Sequence, residues 1–151
     1  MHQIYLGLGT NLGDKNKNLD AAIKALSHTI GKVVKVSSYH ASEPWGFESM
    51  HSFLNAAACI ESEFSPEEVL QLVKRIEKEA GRKRKSGNGY EDRPIDIDIL
   101  FYDDVIIDLP ELKIPHPHIA DRDFVLTPLS EIAPDLVHPV LKRKIKDLPK
   151  P

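Results

Sequence analysis

The chain has 151 residues, 41% of them hydrophobic and 28% charged, with a net charge of -3. That is the size and make-up of one globular domain, residues 1–151, with a core of its own, and it argues against a protein held to nucleic acid by overall charge. A single cysteine, Cys59, excludes an internal disulfide. Its apolar setting, AAACI, reads as a small buried hydrophobe rather than a nucleophile.

No stretch approaches the ~20 apolar residues of a membrane span. The opening MHQIYLGLG lacks the basic and apolar regions of a signal peptide. A cytoplasmic protein with no membrane and no nucleic-acid partner is therefore the expectation.

Residues 3–8, QIYLGL, predict a first strand, and GTNLGDK a turn in which Asp14 is placed to cap a helix. Leu19, Ala22, Ile23, Leu26 and Ile30 then recur at helical spacing until Gly31 stops them. KVVKVSSYH is β-branched and alternating, which predicts one strand, and SEPWGFESMH is a loop. FLNAAACIES predicts the next strand. Ser65-Pro66-Glu67-Glu68 spells a helix start: Ser65 at the N-cap, Pro66 at N1 and Glu68 closing a capping box.

Val69, Leu72, Val73, Ile76 and Ala80 make the stripe of that helix, and Gly81 ends it. Residues 82–94 show no apolar period and predict a loop. IDIDILFYDDVII returns to strand, and DRDFVLTPLSEIA predicts a short helix containing Pro128. The order is β-α-β-β-α-β: an α+β, ferredoxin-like antiparallel sheet with helices on one face and a C-terminal extension.

Chemistry concentrates in Arg93-Pro-Ile-Asp96-Ile-Asp98-Ile. On a strand, residues two apart share a face, so Asp96 and Asp98 project together while Ile95, Ile97 and Ile99 enter the core. Aspartate is disfavoured in strands, and two like charges repel unless a cation lies between them. Carboxylate oxygens suit Mg²⁺, which takes one or two of them together with substrate phosphates. An acidic outer face without a metal is the plainer alternative.

Arg82, Lys83, Arg84 and Lys85 follow a helix end, where positive charge is favoured anyway. Arg93, beyond the loop and beside the acid pair, is better explained as a phosphate fork. Trp45, Phe47 and Phe53 lie near Asn55, whose amide sits in an apolar strand and either reads a heterocycle edge or satisfies loop backbone. Gly7-Leu-Gly9-Thr-Asn-Leu-Gly13 is neither a dinucleotide fingerprint nor a Walker A loop, and reads as a tight strand-to-helix turn. Ile114-Pro-His116-Pro-His118 lacks zinc spacing, but a histidine between two prolines is held to donate to a phosphate.

Together these segments resemble the 6-hydroxymethyl-7,8-dihydropterin pyrophosphokinase family. The resemblance runs from YLGLGTNLGD through SSYHASEPWGF, FLNAA and RIEKEAGRKR to DRPIDIDILFYD and IPHPHIADRDFVLTPLSEIAPDLVHP. It implies a ferredoxin-like α+β fold and transfer of pyrophosphate from ATP, the co-substrate, to the pterin hydroxymethyl group in folate biosynthesis, releasing AMP. It also implies a monomer.

By resemblance, Asp96 and Asp98 hold two Mg²⁺ ions. Phe53 and Phe124 sandwich the pterin, Asn55 reads it, and the backbone of Ser42, Glu43, Pro44 and Trp45 forms its rim. Arg82 and Arg93 bear on the phosphates. Glu77, Arg84, His116 and Arg122 match other ATP-site positions, and Leu70 and Ile99 lie near the adenine.

Tyr90-Glu91-Asp92-Arg93 departs from a frequent Trp-Gly-Pro-Arg, Phe53 from a frequent tyrosine, and Ser42-Glu43-Pro44 from a Thr-Pro-Pro type segment. A palm-type nucleotidyltransferase would use the same acid pair and release pyrophosphate. An RNA-binding module would need a basic aromatic sheet, which the acid pair opposes.

Overall fold

The computed structural model describes residues 1–42, 52–81 and 94–151. Its elements run β1 His2–Thr10, α1 Lys15–Thr29, β2 Lys32–Val36, β3 His40–Ser42, β4 Phe53–Ser62, α2 Pro66–Glu79, β5 Asp96–Tyr102, β6 Ile107–Leu109, β7 Leu112–Ile114 and α3 Asp123–Ile132. The main sheet has the order β2-β4-β1-β5, with β3 also on β4, and every one of these pairings is antiparallel. That is the expected α+β arrangement. The β6–β7 hairpin stands apart. No described helix is long and apolar enough to cross a membrane.

The helix signals act as read. Asp14 accepts from Lys17 N at 3.1 Å, and Ser65 and Glu68 close the capping box at 3.2 and 2.9 Å. Gly81 takes φ +95 beyond α2, the left-handed conformation that suits a glycine after a helix. α1 and α2 cover one face of the sheet through Leu19, Leu26, Val69, Val73 and Ile76, packed on Ile4, Leu6, Ala58, Ile60, Ile97 and Ile99.

The C-terminal extension does more than extend. α3 packs Val125, Leu126, Leu129 and Ile132 on the opposite face, against Tyr5, Ala57, Cys59, Leu100 and Phe101. Helices therefore cover both faces of the sheet, where the sequence predicts one. Pro128 lies inside α3 and removes the bond its N–H would have made to the Phe124 carbonyl. Cys59 is buried as expected, and desolvation raises its pKa, so it stays a thiol. Tyr5 beside it is pushed up to about 12, again by burial first.

Three local expectations change. KVVKVSSYH is not one strand: Val36 pairs with Ala58 and His40 with Asn55, so this side takes four steps where β4 takes three. The extra residue breaks the ladder at 37–39, where the buried Ser37 hydroxyl accepts from Ala57 N at 2.9 Å. The Gly7–Gly13 stretch is not a turn throughout, because Gly7 and Gly9 pair inside β1 and only Gly13, at φ +66, serves the turn. IDIDILFYDDVII divides at Asp103, which has φ 50, into β5 and β6. The readings placed on residues 43–51 and 82–93, including the loop itself, lie outside the described residues.

Candidate functional site

The site grows from the register of three strands. Gly9 of β1 pairs with Asn55 of β4 on one side and Asp96 of β5 on the other; Gly7 likewise pairs with Ala57 and Asp98. Alternation puts Asn55 on the α3 face with Ala57 and Cys59, and puts Asp96 and Asp98 there too, since Ile95, Ile97 and Ile99 are buried on the other side. The result is two rows of small residues with an amide at one end and two carboxylates at the other. Both aspartates are half-exposed. The bulge between Tyr5 and Leu6 leaves Leu100 as an extra residue, so Leu100 and Phe101 both face α3 and close the trough below the acid pair.

Asn55 is 3% exposed and its orientation is fixed. Its Nδ2 donates to Ser42 Oγ at 2.6 Å and to the His40 carbonyl at 3.3 Å. Both amide hydrogens are thereby used, and Oδ1 is directed toward Gly9, where an added Cβ would lie 3.1 Å from it. The Ser42 hydroxyl thus helps to orient the Asn55 amide.

A Gly9→Ala variant should raise the KM for the ligand of this trough by about 10-fold, since Asn55 must turn to admit the methyl. It should leave the KM for a ligand of the acid pair alone unchanged. Equal changes in both would show that Gly9 is only part of the strand.

The outer edge of β5 is also held. Glu77, buried on α2, accepts from Ile97 N at 2.8 Å, midway between the two aspartates. His116 N donates to the Leu100 carbonyl at 3.0 Å, and this brings its Nε2 to 3.9 Å from Asp98 Oδ2. Burial, then the neighbouring Arg122 and His118, push the His116 pKa down to about 4 against the pull of Asp96 and Asp121. The ring is neutral at pH 7. Its Nδ1 accepts from His118 N at 3.1 Å, so the proton sits on Nε2, facing the acid pair. At 3.9 Å the contact is longer than a hydrogen bond, and a neutral ring makes it no ion pair. Arg122 stands at the N-cap position of α3, with its guanidinium carbon 5.8 Å from the Phe124 ring centre.

The structure therefore brings Asp96, Asp98, His116, Ser42, Asn55 and Phe53 to one face or its rim, with Arg122 and Phe124 on the helix that packs there. Leu70, Glu77 and Ile99 lie on the other side of β5, in the layer under α2, because Ile99 alternates with Asp98. Glu43, Pro44, Trp45, Arg82, Arg84 and Arg93 lie outside the described residues. Sequence reasoning did not pick out Gly9 or His40 as site residues; the two-residue spacing of Gly7 and Gly9 was the available signal.

Among the described residues, no group of three His, Cys, Asp or Glu side chains is set to hold a metal. Two hard carboxylates on one strand face, roughly 6.6 Å apart along the chain, instead suit a cation that draws its other ligands from water and phosphate.

Comparisons with known proteins bear on the family of the chain and on its fold. The family model for 7,8-dihydro-6-hydroxymethylpterin-pyrophosphokinase matches residues 5–134. The 2-amino-4-hydroxy-6-hydroxymethyldihydropteridine pyrophosphokinase of Porphyromonas gingivalis is 48% identical over 138 residues, covering 90% of this chain and 93% of its own length. The Aquifex aeolicus enzyme of the same name is 40% identical over 147 residues, covering 97% and 90%. Among solved structures, wild-type HPPK-DHPS of Plasmodium falciparum superposes with a TM-score of 0.77 at 18% identity. That match covers 97% of this chain but 44% of the Plasmodium chain, so it speaks for the fold alone.

Proposed function

Since the chain belongs to the 7,8-dihydro-6-hydroxymethylpterin pyrophosphokinase family, whose members use ATP and Mg²⁺ in folate biosynthesis, we propose that its β1 trough is where pterin and polyphosphate meet. The reaction moves the β,γ-pyrophosphoryl unit of ATP to the hydroxymethyl oxygen of 6-hydroxymethyl-7,8-dihydropterin. The new bond joins that oxygen to the β-phosphorus. The bond from the β-phosphorus to the α-bridging oxygen breaks, AMP leaves with the electron pair, and the alcohol proton is released. The observation that carries the placement is the row Asn55–Gly9–Asp96, which sets a heterocycle reader and a carboxylate across one bare strand.

In this reading the pterin lies over the glycines. Phe53 and Phe124 stack on it, Asn55 Oδ1 accepts from a ring N–H or amino group, and Ser42, Glu43, Pro44 and Trp45 form its rim. ATP lies along the outer edge of β5, with adenine toward Leu70 and Ile99 and phosphates toward Asp96 and Asp98. Two Mg²⁺ ions held by this pair would neutralise phosphate charge and make the alcohol more acidic.

The protein's own part is positioning and charge. His116 offers a neutral Nε2–H, and Arg122, Arg84, Arg82 and Arg93 offer guanidinium forks to the phosphates. Glu77 acts through the strand, holding Ile97 so that both aspartates keep their aim. The chain's own helices cover both sheet faces, which supports a monomer.

The test resolves nucleotides after incubation with ATP, Mg²⁺ and the hydroxymethyl-dihydropterin. AMP without ADP is expected; ADP would mean simple phosphoryl transfer. In the same assay Phe53→Ala should raise the pterin KM about 10-fold or more by removing a stacking face, with little change for ATP. Equal loss for both substrates would place Phe53 in the core and the pterin elsewhere.

A further inference from the structure

α3 reaches the pterin side of the sheet with two residues seven apart. Phe124 stands in its first turn and Glu131 in its last. Seven residues is close to two turns, so both lie on one flank of the helix. Glu131 is bound from three directions. It accepts from Ser38 N at 2.7 Å, from Ser38 Oγ at 2.6 Å and from His40 Nε2 at 2.9 Å.

These bonds hold the carboxyl well below its ordinary 4.5, at about 2, the Ser38 hydroxyl contributing most, then the Ser38 N–H and His40. An exposed Glu–His pair alone would be of small account. A backbone N–H and a hydroxyl converging on the same carboxylate make this a fixed joint.

The partners matter because of what they are attached to. Ser38 lies in the break between β2 and β3, where one extra residue interrupts the ladder. β3 has only three pairings, all to β4: His40 with Asn55, Ala41 with Leu54 and Ser42 with Phe53. Such a short strand has little of its own to hold it. Yet it supplies both acceptors that orient Asn55, the His40 carbonyl and the Ser42 hydroxyl. The Asn55 side chain is thus aimed by a strand that Glu131 ties to α3.

We propose that Glu131 is a positioning residue: by clasping Ser38 and His40 it fixes β3 and α3 together, and so sets the aim of the Asn55 amide and the place of Phe124. It acts on the pterin side through β3, which lies three strands over from the acid pair of β5. This rests on the assignment of Asn55 and Phe124 as pterin contacts.

The experiment compares Glu131→Ala and Glu131→Gln with Asn55→Ala as the reference, at a temperature where each is fully folded. The readouts are KM for each substrate, kcat, and the NMR signals of the Asn55 side-chain amide. Glu131→Ala should raise the pterin KM about 10-fold, with the ATP KM and kcat within about twofold. It should also shift or broaden the Asn55 amide signals. Glu131→Gln keeps an acceptor for the Ser38 N–H and should fall between it and the unaltered protein.

A purely structural role would lower the Tm and move neither the pterin KM selectively nor the amide signals; that result overturns the clasp. An unchanged pterin KM in Glu131→Ala alongside a raised one in Asn55→Ala overturns it too. If Asn55→Ala also leaves the pterin KM unchanged, the pocket is misplaced and the clasp falls with it.

Discussion

Asp98→Ala should lose turnover by on the order of 10³-fold or more while keeping its fold. Asp98 is half-exposed on the trough face of β5, and its strand is held by backbone pairing to β1 and by Glu77 at Ile97. None of that support uses the Asp98 carboxylate. Its neighbour Asp96 carries like charge roughly 6.6 Å along the strand, a repulsion of order 1 kcal/mol in a partly wet site. Removing one carboxylate should therefore leave the strand and the fold in place.

A folded and inactive variant is the signature of a charge kept for function. Asp98→Asn separates shape from charge: it keeps the volume and should be nearly as inactive, because a neutral amide is a poor ligand for a hard cation. Thermal melts and turnover at saturating Mg²⁺ give both answers. Turnover near that of the unaltered protein in either variant would remove Asp98 from the phosphate site.

Gly31→Ala should be the most damaging single methyl for stability. A Cβ at Gly31 would lie 2.0 Å from the Glu61 carbonyl oxygen, 2.9 Å from its carbon and 3.1 Å from Ser62 Cα. These are backbone atoms of β4, paired to β1 from end to end, so they cannot step aside as a side chain would. The cost is expected at about 3 kcal/mol or more, a Tm fall of roughly 10 °C for a chain of this size. Activity per folded molecule at low temperature should be kept, since α1 and β2 lie away from the trough.

Gly81→Ala is the internal control. Gly81 has φ +95 but, among the described residues, nothing within 4 Å of the added carbon, so it should cost only about 1 kcal/mol. Equal losses at the two glycines would refute the close-approach account.

These glycines show where sequence reading succeeds and where it stops. Both were legible as helix stops, and both helices end there. Only Gly81 has the left-handed backbone that a stop signal implies; Gly31 is needed because β4 passes within touching distance, which no local pattern encodes.

The same division runs through the site. The shared face of Asp96 and Asp98 followed from a period of two, and the helix caps from their own residues. That β1 presents bare glycines between Asn55 and the acid pair depends on register across three strands, far apart in sequence. The short helix read in DRDFVLTPLSEIA carried no signal of which side of the sheet it would cover. The break at 37–39 was hidden because SSYH continues the alternation that suggests a strand.

The bare strand also bears on how this enzyme could escape an inhibitor. Resistance usually arises when a side chain lining a pocket is exchanged for a bulkier one. Over Gly9 there is no side chain to exchange, and any that is introduced meets the Asn55 amide before it meets the drug. With the pterin placed over β1 as proposed, a flat compound resting there would press on the position at which a new side chain is least tolerated.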